Sequence, residues 1–120
     1  MKYEWLDSYC LSKEKAVKDF KEEWNATRYL VGGKMFALLG HDASGKEIIT
    51  LKLEPCFGQF LRDKYEDIVP GYYMNKVHWN SLSLDGNVPD DVCKDMIDQS
   101  YQLIFKSLTR KLQKELLNLE

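Results

Sequence analysis

The sequence predicts one α+β domain: an antiparallel sheet of about five strands, with helices from the two ends of the chain packed on one face. Three observations predict it. Short β-prone runs of strand length recur between Arg28 and Leu53, and again towards Leu84. Gly32-Gly33, Asp42-Ala43-Ser44-Gly45 and Asp85-Gly86 punctuate those runs as turns. Beyond Pro89 the apolar spacing lengthens to that of a helix. The length of 120 residues fits a single domain over 1–120.

Taken in order, residues 1–9 place Trp5, Leu6 and Tyr9 as a short amphipathic helix. Ser12, followed by Ala16, Val17, Phe20 and Trp24 at helical spacing, predicts a second helix. Arg28 to Val31, Lys34 to Leu39 and Lys46 to Leu53 read as a three-stranded meander, the first two joined by Gly32-Gly33. Pro55 suits the first turn of a helix carrying Phe57, Phe60, Leu61 and Tyr65. Ile68-Val69-Pro70-Gly71 reads as a break, then Tyr72 to Met74 and Lys76 to Leu84 as two extended pieces. Pro89-Asp90-Asp91 opens a long helix, since proline fits its first position and acids favour its positive end. Val92, Met96, Ser100, Leu103 and Ile104 mark its apolar side, and Leu108, Leu112 and Leu116 a final short helix. Helices on one sheet face leave the other free for a ligand.

Composition limits the functions. With 44% apolar and 30% charged residues the chain is globular. It has no apolar run of membrane-spanning length and no apolar core near its start, so a cytoplasmic protein without membrane contact is expected. Cys10, Cys56 and Cys93 are odd in number and far apart, which argues against a disulfide framework or a metal clip. His41 and His78 stand in no metal-ligand spacing, and no phosphate loop or nucleophile elbow is present. No enzyme, cofactor or metal is therefore expected; Cys56, near a helix start, is the one reactive-thiol candidate. A net charge of −2 is a mild argument against a nucleic-acid partner, although charge can be segregated by face.

Strand parity points to a cationic surface. Lys34 falls with Phe36 and Leu38, Lys52 with Ile48 and Thr50, and Lys76 with His78. If those faces coincide, Lys34, Lys52, Lys76 and His78 position phosphates, with Tyr73 as a stacking group; otherwise they are solvated strand lysines. The tail carries Lys106, Arg110, Lys111 and Lys114 with no acid before Glu115, which suits a phosphate backbone or the negative end of a helix equally. Asp90, Asp91, Asp95 and Asp98 form an acidic side on the long helix, which suits capping and solvation, or else a cation or a basic partner.

The stretch Pro70-Gly71-Tyr72-Tyr73-Met74-Asn75-Lys76-Val77-His78-Trp79-Asn80-Ser81, followed by Leu84-Asp85-Gly86-Asn87-Val88-Pro89-Asp90-Asp91, resembles the signature of the MmcQ/YjbR family. Gly33 to Ala37 and Met96 to Tyr101 match it in order, so the resemblance covers residues 28–106. It implies a CyaY-like fold, little regular structure in part of 12–25, and DNA binding through a "double wing" of sheet and loops. The competing expectation is a protein-protein adaptor without nucleic-acid binding, and a small-molecule or metal-binding regulator is a third. A monomer is the default in each case.

Overall fold

Two residues with positive φ, Gly32 (+58°) and Gly33 (+81°), give the backbone twist that a two-residue hairpin requires, and the sheet grows outward from that turn. The computed structural model describes residues 2–71 and 74–118. The element order is α1 (Leu6–Leu11), β1 (Val17–Lys21), a 3-10 turn (Glu22–Trp24), β2 (Ala26–Val31), β3 (Lys34–His41), β4 (Glu47–Lys52), α2 (Pro55–Lys64), β5 (Ile68–Pro70), β6 (Trp79–Ser83), α3 (Asp90–Ser107) and α4 (Arg110–Leu116). The strands form one sheet of six in the order β1-β2-β3-β4-β6-β5, every neighbouring pair antiparallel. The β3–β4 turn is held by the Asp42 carboxylate, which accepts the Ser44 and Lys46 amides at 2.9 and 3.0 Å.

The helices cover one face. Tyr29, Ala37, Ile49, Leu51 and Leu82 project from four strands into a core shared with Cys93, Met96, Ile97, Tyr101 and Ile104 of α3. That side of α3 is turned slightly from the expected one: Val92 and Leu103 are only half-buried, while Cys93, Ile97 and Tyr101 are buried. Polar contacts tie α1 to the rest. Tyr3 donates to the Val88 carbonyl at 2.8 Å, and Tyr9 to Asp98 at 2.6 Å, with Lys13 on the same carboxylate. Asp7 accepts from Lys18 at 2.9 Å and Tyr29 at 2.8 Å, and these two donors hold its carboxyl below the ordinary value. The acidic side of α3 thus serves packing at Asp98.

Four expectations change. The predicted second helix is absent; residues 17–21 instead form edge strand β1, paired with β2 from Val17↔Leu30 to Lys21↔Ala26. Lys15, with φ +60°, turns the chain out of the helical course, and Val17 and Phe20 remain more than half exposed, so their spacing marks no core side. Ile68–Pro70, read as a break, is a short strand ending on a proline, which an edge tolerates. It brings the sheet to six strands where about five were expected. The strand predicted from Lys76 starts only at Trp79, because the Asn75 carbonyl accepts the Trp79 amide at 2.9 Å and its side chain the Val77 amide at 2.9 Å, closing a turn over 75–78.

Among the three cysteines, Cys56 is exposed while Cys10 and Cys93 are buried. Burial pushes both inner thiols up to about 12, leaving almost no thiolate at neutral pH. Native protein should therefore react with a disulfide reagent at one thiol in the fast phase, and at all three only after unfolding. Rapid labelling of Cys10 or Cys93 in the native state would contradict this packing.

Candidate nucleic-acid interface

Register decides which side chains share a surface. The face away from the helices carries Arg28 and Leu30 on β2, Leu38 and Gly40 on β3, Ile48, Thr50 and Lys52 on β4, and Trp79, Ser81 and Ser83 on β6, since their cross-strand partners match. A β-bulge between Tyr29 and Leu30 of β2 breaks the alternation of β3: Tyr29 faces Ala37, but Leu30 faces Met35. Phe36 is therefore the additional residue, buried against Tyr101 with ring centroids 5.3 Å apart. Lys34, opposite Val31, falls on the helix side, so it does not share a face with Lys52. The parity expected for Lys34, Phe36 and Leu38 is corrected by that one inserted residue.

The second correction concerns the free face. Its centre is buried: Thr50 is 3% and Ser81 1% exposed, their hydroxyls 2.8 Å apart. The chain leaves the sheet after Pro70 and returns at Trp79, bringing Met74 against Leu38 and Gly40 as walls of one cavity. Cations on this side of the outer strands are already engaged. Arg28 holds Asp19 with both nitrogens, 2.8 Å from Nε and 2.5 Å from Nη2, and Lys21 lies 3.3 Å from Glu23. Among the described residues the strand cations do not share one broad sheet face.

The strand direction organises charge instead. Lys34 begins β3 beside the Gly32-Gly33 turn, and Lys52 ends β4 at the same end of the sheet. Lys76 and His78 lie in the turn leading into β6 there, where the His78 carbonyl accepts the Leu53 amide at 2.7 Å. The backbone of His78 thus lies beside the end of β4 that carries Lys52, and Lys76 belongs to the same turn, while Lys34 lies on the other side of the sheet. Tyr73 lies outside the described residues.

Helix α3 brings the basic tail to this end. Ser100, fully buried, donates to the Phe36 carbonyl and accepts the Lys52 amide at 2.8 Å, which sets the course of α3 against β3 and β4. Eight residues on, Leu108 meets the hairpin: a Cβ on Gly32 would lie 2.7 Å from a Leu108 methyl and 3.2 Å from Leu112. Thr109 caps α4 by accepting the Leu112 amide at 3.1 Å. Between the end of α3 and α4 lies a concavity of about 430 Å³ lined by Lys106, Leu108, Arg110, Gln113, Lys114 and Leu117. Gln113 donates to the Leu108 carbonyl at 2.9 Å and shapes its floor. Residues 105–118 carry four cations and one acid. Among the described residues, neither these cations nor Lys34, Lys52 and Lys76 form an ion pair, whereas Lys13, Lys18, Lys21 and Arg28 do.

The other end of the sheet is richer in carboxylates, although Lys2, Lys21 and Lys46 also lie there. Glu22 and Glu23 follow β1, Asp42 and Glu47 flank the β3–β4 turn, and Asp67 and Asp85 lie before β5 and after β6. Asp90 and Asp91 start α3 on that side. Among the described residues no group of three or more His, Cys, Asp or Glu side chains is placed to hold a metal, and no helix is long and apolar enough to cross a membrane. Sequence reasoning singled out the basic tail and the sheet lysines separately. That they meet at one end depends on the path of α3, and the sequence carries no local sign of it.

Comparison with known proteins follows this geometry. Residues 11–103 match the YjbR family model. The Escherichia coli (strain K12) protein YjbR is 31% identical over 114 residues, 95% of this chain and 96% of that one. The Bacillus subtilis (strain 168) protein YyaQ is 39% identical over 66 residues, about half of each chain (54% and 55%). The crystal structure of Deinococcus radiodurans DR2400, described as domain DUF419, superposes with a TM-score of 0.83 at 30% identity, over 96% of this chain and 86% of that one. A Pseudomonas syringae crystal structure gives 0.75 at 26% identity, over 87% and 99%.

Proposed function

This chain belongs to the YjbR family, and on that premise we propose that it is a DNA-binding module whose contact surface is the cationic end of the sheet. One observation carries the reading: Lys106, Arg110 and Lys114 line a single concavity, without ion-pair partners among the described residues, on a chain whose net charge is −2. The Gly32-Gly33 hairpin with Lys34, and the turn carrying Lys76 and His78, flank that end as two projections. Lys52 lies between them on the outer strand face. Such an arrangement follows a phosphate backbone and reads no base edge, so duplex sequence should matter little. The local positive potential also orients the molecule during approach.

The test is a titration of a labelled 20-base-pair duplex at several salt concentrations. Four to five phosphate contacts give a fall in affinity of roughly a hundredfold or more between 50 and 200 mM salt. An affinity independent of salt, or no binding at 20 mM, removes the reading.

A further inference from the structure

We propose that the cavity at the acidic end of the sheet, beneath Met74, is a binding site for a small aromatic molecule that is neutral or cationic. It lies at the opposite end from the proposed DNA contact and does not depend on that reading. Its volume is about 460 Å³, within the range of small-ligand sites. The floor is the outer face of β2 and β3, where Ala26 and Gly40 stand beside each other. A Cβ on Gly40 would come within 3.2 Å of the Ala26 methyl, so the missing side chain leaves the depression open. Leu38 continues the floor, Met74 forms the far wall and Trp24 the near one.

Three features select the ligand. Trp24 is 54% exposed, an unusually large apolar surface to leave in water, and its ring borders the cavity. Lys21 and Arg28 lie 5.6 and 6.0 Å from its ring centroid and orient it. The thioether of Met74 adapts to flat aromatic shapes. A planar guest therefore gains apolar contact with Trp24, Leu38 and Met74. Charge then sets the sign. Lys21 and Arg28 are each held by a carboxylate, while Glu23 and His41 border the opening with Asp42 next in sequence. Glu23, the carboxylate that pairs with Lys21 at 3.3 Å, is 70% exposed at the opening, so an ammonium group competes with Lys21 for it, whereas an anionic guest competes with it for Lys21.

Tryptamine and indole-3-acetate share one ring system with opposite charge, so they separate shape from charge. Each is titrated into 15N-labelled protein without DNA, and amide and indole shifts are followed by NMR. Tryptamine should give saturable shifts at the Trp24 indole, Leu38, Gly40 and Met74. Indole-3-acetate should bind at least about fivefold more weakly. Gly40→Val fills the depression at the cost of a small shift of Ala26, and Trp24→Ala removes a wall at an exposed turn where folding is safe. Both variants should lose the tryptamine response. The proposal is overturned by no saturable shift below about 10 mM for either compound, by preference for the acetate, or by a response that survives in Trp24→Ala.

Discussion

Reversing three charges together, Lys106→Glu, Arg110→Glu and Lys114→Glu, is expected to abolish duplex binding while leaving the fold intact. The three side chains line one concavity and form no ion pair among the described residues, so their replacement breaks no salt bridge. Each lost phosphate contact lowers the salt slope by about one, and reversal adds repulsion. Neutral replacements, Gln at all three positions, should reduce the slope of log affinity against log salt by roughly three. Lys46→Gln, at the acidic end, should leave the slope unchanged. If the triple variant binds normally while Lys52→Gln with Lys76→Gln does not, the interface is confined to the outer side of the sheet and α4 serves the fold alone.

The second large effect is on stability. Ser100→Ala should destabilise the domain by roughly 2–4 kcal/mol, because one hydroxyl serves a buried carbonyl and a partly buried amide. It donates to the Phe36 carbonyl in the bulge and accepts the Lys52 amide at the end of β4. Neither group has an obvious substitute, since the bulge has taken Phe36 out of the ladder. Alanine keeps the volume nearly constant, so the loss reports the hydrogen bonds and not a cavity. Thermal unfolding should fall by roughly 3–5 °C for each kcal/mol. A variant melting within a degree of the parent would show that water or a backbone adjustment satisfies both groups.

Legibility in the sequence followed the range of the determining interaction. The Gly32-Gly33 hairpin, the Asp42 turn, the proline-led starts of α2 and α3, and the leucine spacing of α4 are local, and each was readable. The course of residues 12–24 was not. Val17, Phe20 and Trp24 are spaced as in a helix, and only the unfilled edge of β2 decides that 17–21 run as a strand. The bulge was invisible for a similar reason: it is a relation between Tyr29 and Ala37 on separate strands. Its consequence for the candidate site was large, since it moved Lys34 to the other side of the sheet. The expected grouping of Lys52, Lys76 and His78 treated all three as strand residues, whereas two of them belong to a turn that ends beside Lys52. The basic tail was recognised, but helix electrostatics explained it equally well until α3 was seen to deliver it beside the hairpin.

Lysines and arginine concentrated at one end of the sheet, and carboxylates in excess at the other, give the molecule an uneven distribution of charge despite a formal charge of only −2. Unlike ends attract one another, and head-to-tail contacts whose rotation does not close grow as open strings. In dilute buffer, where the Debye length reaches ~30 Å, the chains should line up in open strings, detectable as excess light scattering at millimolar salt. At ~0.15 M that length shortens to ~8 Å and the strings should disperse. A solution property of the bulk protein thus follows from where one long helix begins and where it stops.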